Sequence, residues 1–185
     1  LDTTNYFVDM NWTAATIKKT AAHSFLIQPT GKNNSFECSF SFSEKKPVTQ
    51  ITNYFKTTES SKINWKKFWM SGGAVDFSAT KDPRAFELER RVVLSQYLTK
   101  VQCSAAYPPQ ETGLTYNSWY GKPHLEMHWW HAVHFAQWGR SELMEKSLDW
   151  YFKVAEKAKL IAQRQGFAGV RWQKMTDNNL SLIHI

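Results

Sequence analysis

The densest run of chemically capable side chains spans residues 119–131, Trp-Tyr-Gly-Lys-Pro-His-Leu-Glu-Met-His-Trp-Trp-His. It holds three imidazoles, one carboxylate and four large aromatic rings. Metal chemistry is the first reading to weigh. His124 and His128 are four residues apart, the spacing that puts two imidazoles on one helix face in zinc-binding helices. In that motif the glutamate directly follows the first histidine. Here Glu126 comes two places after His124, and two residues rotate about 200° around a helix. Glu126 is therefore expected to face away from the His124/His128/His131 stripe, and no metal or other cofactor is expected. The second reading is carbohydrate recognition. Glu126, Trp129 and Trp130 fall on a common side of a helix, where a carboxylate can accept hydrogen bonds from sugar hydroxyls while an indole packs on the C–H face of the ring. The same residues also suit an ordinary helix, with Trp129 and Trp130 in the core and Glu126 as a first-turn carboxylate favoured by the helix dipole. His134 and Trp138 read as packing residues. Glu111, in the loop segment Pro-Pro-Gln-Glu-Thr-Gly of residues 108–113, is a further carboxylate that could shape a cleft or stabilise its own turn.

These residues need elements to position them. Residues 82–103 carry the signals of a helix, with Asp82 as N-cap, Pro83 in the first helical position, and Phe86, Val93, Tyr97 and Val101 at helical spacing. A loop follows over residues 105–123, with three prolines and two glycines; its length is typical of functional loops. A second helix is expected over residues 124–138, closed by Gly139. A third, capped by Ser141, is expected over residues 141–165, closed by Gly166, with Leu143, Leu148, Tyr151, Phe152, Ala155 and Ala158 as its stripe. Residues 166–177 form another loop.

Upstream, residues 35–43 alternate Phe36, Cys38, Phe40 and Phe42 with polar neighbours, the period-two pattern of a half-buried strand. Residues 23–28 form a second strand candidate. The turn-rich segment 29–34 is expected to join the two into a hairpin, too little to stand alone and so the end of a larger β-domain. Residues 49–81 read as a connection containing a short helix at 63–70.

Composition narrows the function classes. Aromatic residues make up 15% of the chain, including nine Trp, a surplus that serves either a core or flat ligand platforms. The net charge is +7, but the lysines are scattered, so no nucleic-acid face is expected. No apolar run is long enough to span a membrane. Cys38 and Cys103 form neither a metal pattern nor a disulfide framework. Residues 1–10 show no signal-peptide pattern. No self-similarity of 34–47 residues indicates a helical-repeat array.

With these motifs in hand, residues 65–178 resemble the start of the (α/α)6 barrel of six-hairpin glycosidases, in particular bacterial proteins related to glycoside hydrolase family 65 and its clan. Three stretches carry the likeness. Residues 87–97 (Glu-Leu-Glu-Arg-Arg-Val-Val-Leu-Ser-Gln-Tyr) resemble the first barrel helix. Residues 121–130 resemble the clan's Gly-His-x-Phe-Trp-Asp-x-Glu segment, with Glu126 at the sugar-binding Asp position and His124 where an aromatic is usual. Residues 166–172 (Gly-Phe-Ala-Gly-Val-Arg-Trp) resemble the loop that lines the cleft. The resemblance implies a mainly α fold: residues 82–179 as the first helices of an (α/α)6 barrel, residues 1–48 as the last strands of a preceding β-sandwich domain, and residues 49–81 as a linker. Residues 180–185 resemble translated sequencing-adapter sequence and are expected to be an artefactual tail on a fragment. The implied activity is a glycoside hydrolase acting on oligosaccharides, with a phosphorylase or a non-catalytic carbohydrate-binding protein as alternatives. Trp119, Tyr120, His124, Glu126, His128, Trp129, Trp130, Arg171 and Trp172 are the implied substrate contacts, and Glu111 a further candidate. Such enzymes hold two carboxyl groups about the scissile bond; in the clan these lie on later helices, beyond residue 177. The resemblance also favours a periplasmic or extracellular location.

Overall fold

A computed structural model of the chain describes residues 6–32, 36–49 and 51–181. Helix accounts for 44% and strand for 18%, in four α-helices and two small two-stranded antiparallel sheets. The chain divides into two compact units, Leu1–Met70 and Ser71–Ile185.

The first unit holds four strands, β1 (Phe7–Thr13), β2 (Ala15–Ala21), β3 (Ser24–Pro29) and β4 (Glu37–Ser43), and one helix, α1 (Tyr54–Met70). The strands form a nested ribbon. β2 pairs with β3 across the two residues Ala22 and His23, and β1 pairs with β4, Phe7 opposite Ser43 and Thr13 opposite Glu37. The expected hairpin between residues 23–28 and 35–43 does not form. Both strands exist, but each pairs with an N-terminal strand that period-two counting missed, and the turn-rich segment after β3 is an excursion between ladders. Its residues 33–35 lie outside the described residues. The exposed face of β4 is also inverted from expectation. Phe40 and Phe42 are 50% and 71% exposed while Ser39 is buried, its hydroxyl donating to the Thr52 carbonyl at 2.6 Å. α1 is in contact with β4, with Cys38, Ser39 and Phe40 beside it. α1 itself is a full 17-residue helix where a connection with a short helix was expected.

The second unit is helical. α2 (Ala85–Cys103) is followed by the long loop, two single 3-10 turns at Trp119–Gly121 and Leu125–Met127, then α3 (His128–Gln137) and α4 (Ser141–Arg164). α3 packs on α4. α4 buries Leu143, Ser147, Trp150, Val154, Ala158 and Ile161, steps of four and three that keep one stripe inward. Leu143 and Ala158 of the expected stripe are inside; Phe152 is 81% exposed. The segment 172–180 folds back over α4. Trp150 donates its indole N–H to the Asn178 carbonyl at 2.7 Å. Leu180, the first residue of the expected tail, is 2% exposed and packs with Trp150, Val154, Ala158 and Ile161; residues 182–185 lie outside the described residues.

This is a small α+β protein, and the expectation of a mainly α chain opening an (α/α)6 barrel after a β-sandwich is corrected. A barrel wall needs successive hairpins packed side by side. Here α2 buries only Cys103, and Phe86, Val93, Tyr97 and Val101 are 80%, 41%, 41% and 43% exposed. Helical periodicity encodes a helix and its apolar side, not the partner that covers it. The strands likewise make two separate two-stranded ladders rather than stacked sheets.

Candidate functional site

The site is built where two irregular segments meet the start of α3. Pro123 and His124 form isolated bridges, Pro123 with Gln110 and His124 with Met175. The His124 N–H donates to the Pro109 carbonyl at 3.0 Å, and the Leu125 N–H to the Lys174 carbonyl at 2.8 Å. These bonds pin the 105–123 loop and the 172–176 segment to either side of His124.

His124 is 2% exposed, with its Nε2 3.5 Å from a Glu126 carboxylate oxygen and its Nδ1 3.9 Å from one of Glu111. The Trp119 ring meets it edge-on at 6.4 Å. The expectation that Glu126 turns away from His124 fails because the α-helical rotation does not apply there. His124 has an extended backbone (φ −111°, ψ 90°), and Glu126 lies in a 3-10 turn before α3 begins. Lys174, which no local spacing in the sequence could link to this cluster, pairs with Glu126 at 2.7 Å. Its ammonium, and more weakly His124, holds the Glu126 carboxyl below the usual carboxylate range, and Lys174 is raised in turn. Glu126 is thus an ionised acceptor at neutral pH.

Four aromatic residues close to this polar group in sequence are exposed. Trp119, Tyr120, Trp129 and Trp130 are 50%, 69%, 59% and 68% exposed. Trp129 and Trp130 lie in the first turn of α3, three and four residues after Glu126. Trp119 (φ 48°) and Tyr120 (φ 60°) both have left-handed backbone, followed by Gly121 at φ 69°. Left-handed conformation costs an L-residue roughly 1–2 kcal/mol, and two consecutive bulky rings in it are an outlier of the kind that concentrates at binding sites. The Lys122 ammonium lies 5.7 Å over the Tyr120 ring.

The other residues implied by resemblance lie elsewhere. His128 is buried, and both its nitrogens are used. Ser147 spends its proton on the Met144 carbonyl (2.8 Å), so His128 Nε2–H donates to Ser147 (2.8 Å) and Nδ1 accepts from the Tyr151 hydroxyl (3.0 Å). Burial pushes the His128 pKa down to about 4. Trp172 packs edge-on against Tyr151 at 5.0 Å, beside His128 rather than beside Glu126. Arg171 lies over the Phe167 ring at 4.5 Å. His131 donates to the Glu111 carbonyl at 2.8 Å and fixes the loop on α3. His134 packs against Phe135 at 5.0 Å, and Trp138 lies against Gly73.

Sequence reasoning also missed Arg140. It is 1% exposed, and its guanidinium donates to Gln96 Oε1 (3.0 Å) and the Gly73 carbonyl (3.1 Å), tying α2 and the 72–73 segment to the end of α3. Among the described residues no three His, Cys, Asp or Glu side chains are arranged to hold a metal ion. A depression of about 860 Å³ lies at the start of α2, lined by Phe77, Pro83, Leu88 and the paired charges Asp82–Arg84 and Glu87–Arg91; it includes none of the aromatic residues around Glu126. In this structure the pair Glu126–Lys174 is more than half exposed beside the buried His124, and Trp119, Tyr120, Trp129 and Trp130 are exposed in the same stretch of chain. No family model, no curated protein and no solved structure matches the chain.

Proposed function

We propose that the platform around Glu126 binds carbohydrate, and that the protein is a glycoside hydrolase acting on oligosaccharides whose substrate-binding surface includes Trp119, Tyr120, Glu126, Trp129 and Trp130. The observation that supports this reading is four exposed rings within seven residues of chain of an ionised carboxylate held by Lys174. Exposed indoles offer flat faces to the C–H side of a sugar, and an ionised carboxylate offers strong, charge-assisted acceptors to its hydroxyls. Glu126 acts in binding and not as a proton donor, because Lys174 keeps it deprotonated. Glu111 and Glu126 are also not the acid/base pair of a glycosidase. The His124 imidazole fills the space between them, where the scissile bond and water would have to sit.

The test is a titration of the chain with neutral tetrasaccharides (cellotetraose, maltotetraose, xylotetraose) followed by tryptophan fluorescence and amide shifts, with reducing-sugar release as the readout of turnover. Glu126→Gln and Trp129→Ala are each expected to weaken binding about tenfold or more with the helical circular dichroism retained. If every sugar that binds does so equally well to Glu126→Gln, the assignment of this platform is wrong. Saturable binding of none of the three sugars would overturn the carbohydrate reading itself.

A further inference from the structure

The β1–β4 ladder has two chemically distinct faces. Directly opposed residues of an antiparallel pair point to the same side of the sheet. The register therefore puts Val8, Met10 and Trp12 of β1 on one face with Phe42, Phe40 and Cys38 of β4. All six side chains are apolar and uncharged. The reverse face is mainly polar, with Asp9, Asn11 and Thr13 opposite Ser41, Ser39 and Glu37. On the apolar face Phe42, Phe40, Val8 and Trp12 are 71%, 50%, 44% and 43% exposed. Tyr6, 66% exposed, extends the patch, its ring 6.4 Å from that of Phe42. A two-stranded ribbon is marginally stable by itself and is stabilised when such a face is covered.

Charge, shape and area select a second copy of this chain as the cover. The chain has a net charge of +7, so two copies repel where their charges meet; this face presents none. Each end of the face sets one bulky side chain beside a small one, Phe42 beside Val8 and Trp12 beside Cys38. A two-fold axis between two such faces has two settings. One lays β1 over β1 end for end, with Phe42 over Cys38 and Trp12 over Val8 of the second copy. The other lays β1 over β4, with Phe42 over Val8 and Trp12 over Cys38. Large side chains meet small ones in both settings, so the facing layers interdigitate and the face complements itself. A large aromatic side chain offers about 150–250 Å², so the exposed parts of Tyr6, Trp12, Phe40 and Phe42 together leave roughly 450 Å² open. With Val8 added, two copies cover about 1,000 Å² in total, the size a specific interface needs.

We propose that the protein forms a symmetric dimer by packing the Val8–Met10–Trp12 and Cys38–Phe40–Phe42 face of the β1–β4 ribbon on the same face of a second copy. The dimer converts two two-stranded ribbons into a small four-stranded sandwich, the sheets about 10 Å apart. It uses residues of the first unit alone and is independent of the carbohydrate reading of Glu126.

The experiment is sedimentation equilibrium of the full chain from about 1 µM to 1 mM. A monomer–dimer equilibrium is expected, with Kd on the order of 10 µM for an interface at the low end of the size range. Phe42→Lys puts a charge in the centre of the buried patch and is expected to raise Kd about tenfold or more, with the circular dichroism retained. Phe86→Ser alters the exposed apolar side of α2 instead and is expected to leave Kd unchanged. Should Phe42→Lys lose its fold, isotope-filtered contacts between labelled and unlabelled copies of the unaltered chain decide the matter. They are expected between the Phe42 ring and Val8 or Cys38 of the other copy. A chain that stays monomeric throughout overturns the proposal. So does a dimer that persists unweakened in Phe42→Lys, one that dissolves in Phe86→Ser, or one whose intermolecular contacts lie outside the β1–β4 face. Loss of sugar binding in Glu126→Gln leaves the dimer untouched.

Discussion

α4 and α2 both carry apolar residues at helical spacing, yet one is a core element and the other leaves its apolar stripe largely exposed. α4 turns Leu143, Ser147, Trp150, Val154, Ala158 and Ile161 inward, with Ala158 at 0% exposure. α2, with 19 residues, buries Cys103 alone. The difference lies in what reaches each helix. α3 packs along α4, and the 172–180 segment closes over it with the Trp150–Asn178 bond and the Leu180 side chain. α2 receives a side-chain bond from Arg140 through Gln96 and packs only lightly on α3. An apolar stripe is therefore a capacity for burial. Whether it is used depends on segments distant in sequence.

The two helices are expected to differ in their shares of the stability. Trp150→Ala removes a ring that is 1% exposed and its hydrogen bond. The expected loss is about 3–5 kcal/mol, read as a fall in the denaturant midpoint; a loss below about 1 kcal/mol would mean that the α4 stripe is not the core. An intermediate effect comes from pH. His128 titrates near 4 in the folded chain and near 6.5 unfolded. The unfolded state therefore binds a proton first as pH falls, so this group costs nothing above pH 6.5. It destabilises progressively between pH 6.5 and 4, by up to about 3 kcal/mol. His131 and His134, also lowered by burial, act in the same direction. Urea midpoints at pH 7.5 and 4.5 check this, and equal midpoints would contradict it. The smallest effect belongs to α2. Phe86→Ser changes a side chain that is 80% exposed between residues of similar helix propensity, and stability is expected to stay within about 0.5 kcal/mol. A larger loss would show that α2 is covered after all.

Local signals in the sequence were legible where local physics decided the outcome. α4 starts at Ser141 and Gly166 follows its end, although the expected serine cap is not made: Arg140 is the N-cap, with no side-chain cap bond. The helix over residues 82–103 is present from Ala85, and β3 and β4 lie where alternation put them. Pairing was not legible. β4 joins β1, and β3 joins β2 across residues 22–23, within a segment whose alternation is too weak to announce the two N-terminal strands. At the candidate site, Glu126 and the exposed tryptophans stand out by type and spacing. Lys174 and the His124 contacts to Glu111 and Glu126 do not, since 48 and 13 residues of chain separate Lys174 from Glu126 and Glu111 from His124. The assumption of regular α-helix through residues 124–127 then put Glu126 on the wrong side of His124.

What the amino-acid order determined by itself was part of the inventory: the stretches that become α2, α3, α4, β3 and β4, and which carboxylate and rings stand close together along the chain. These follow from backbone periodicity and capping, which act over one or two turns. Tertiary structure decided which faces are covered, that His128 is an interior hydrogen-bonded group, and that Lys174 keeps Glu126 ionised. Those outcomes depend on burial and charge proximity between segments far apart in sequence. Short-range spacing carries no information about them.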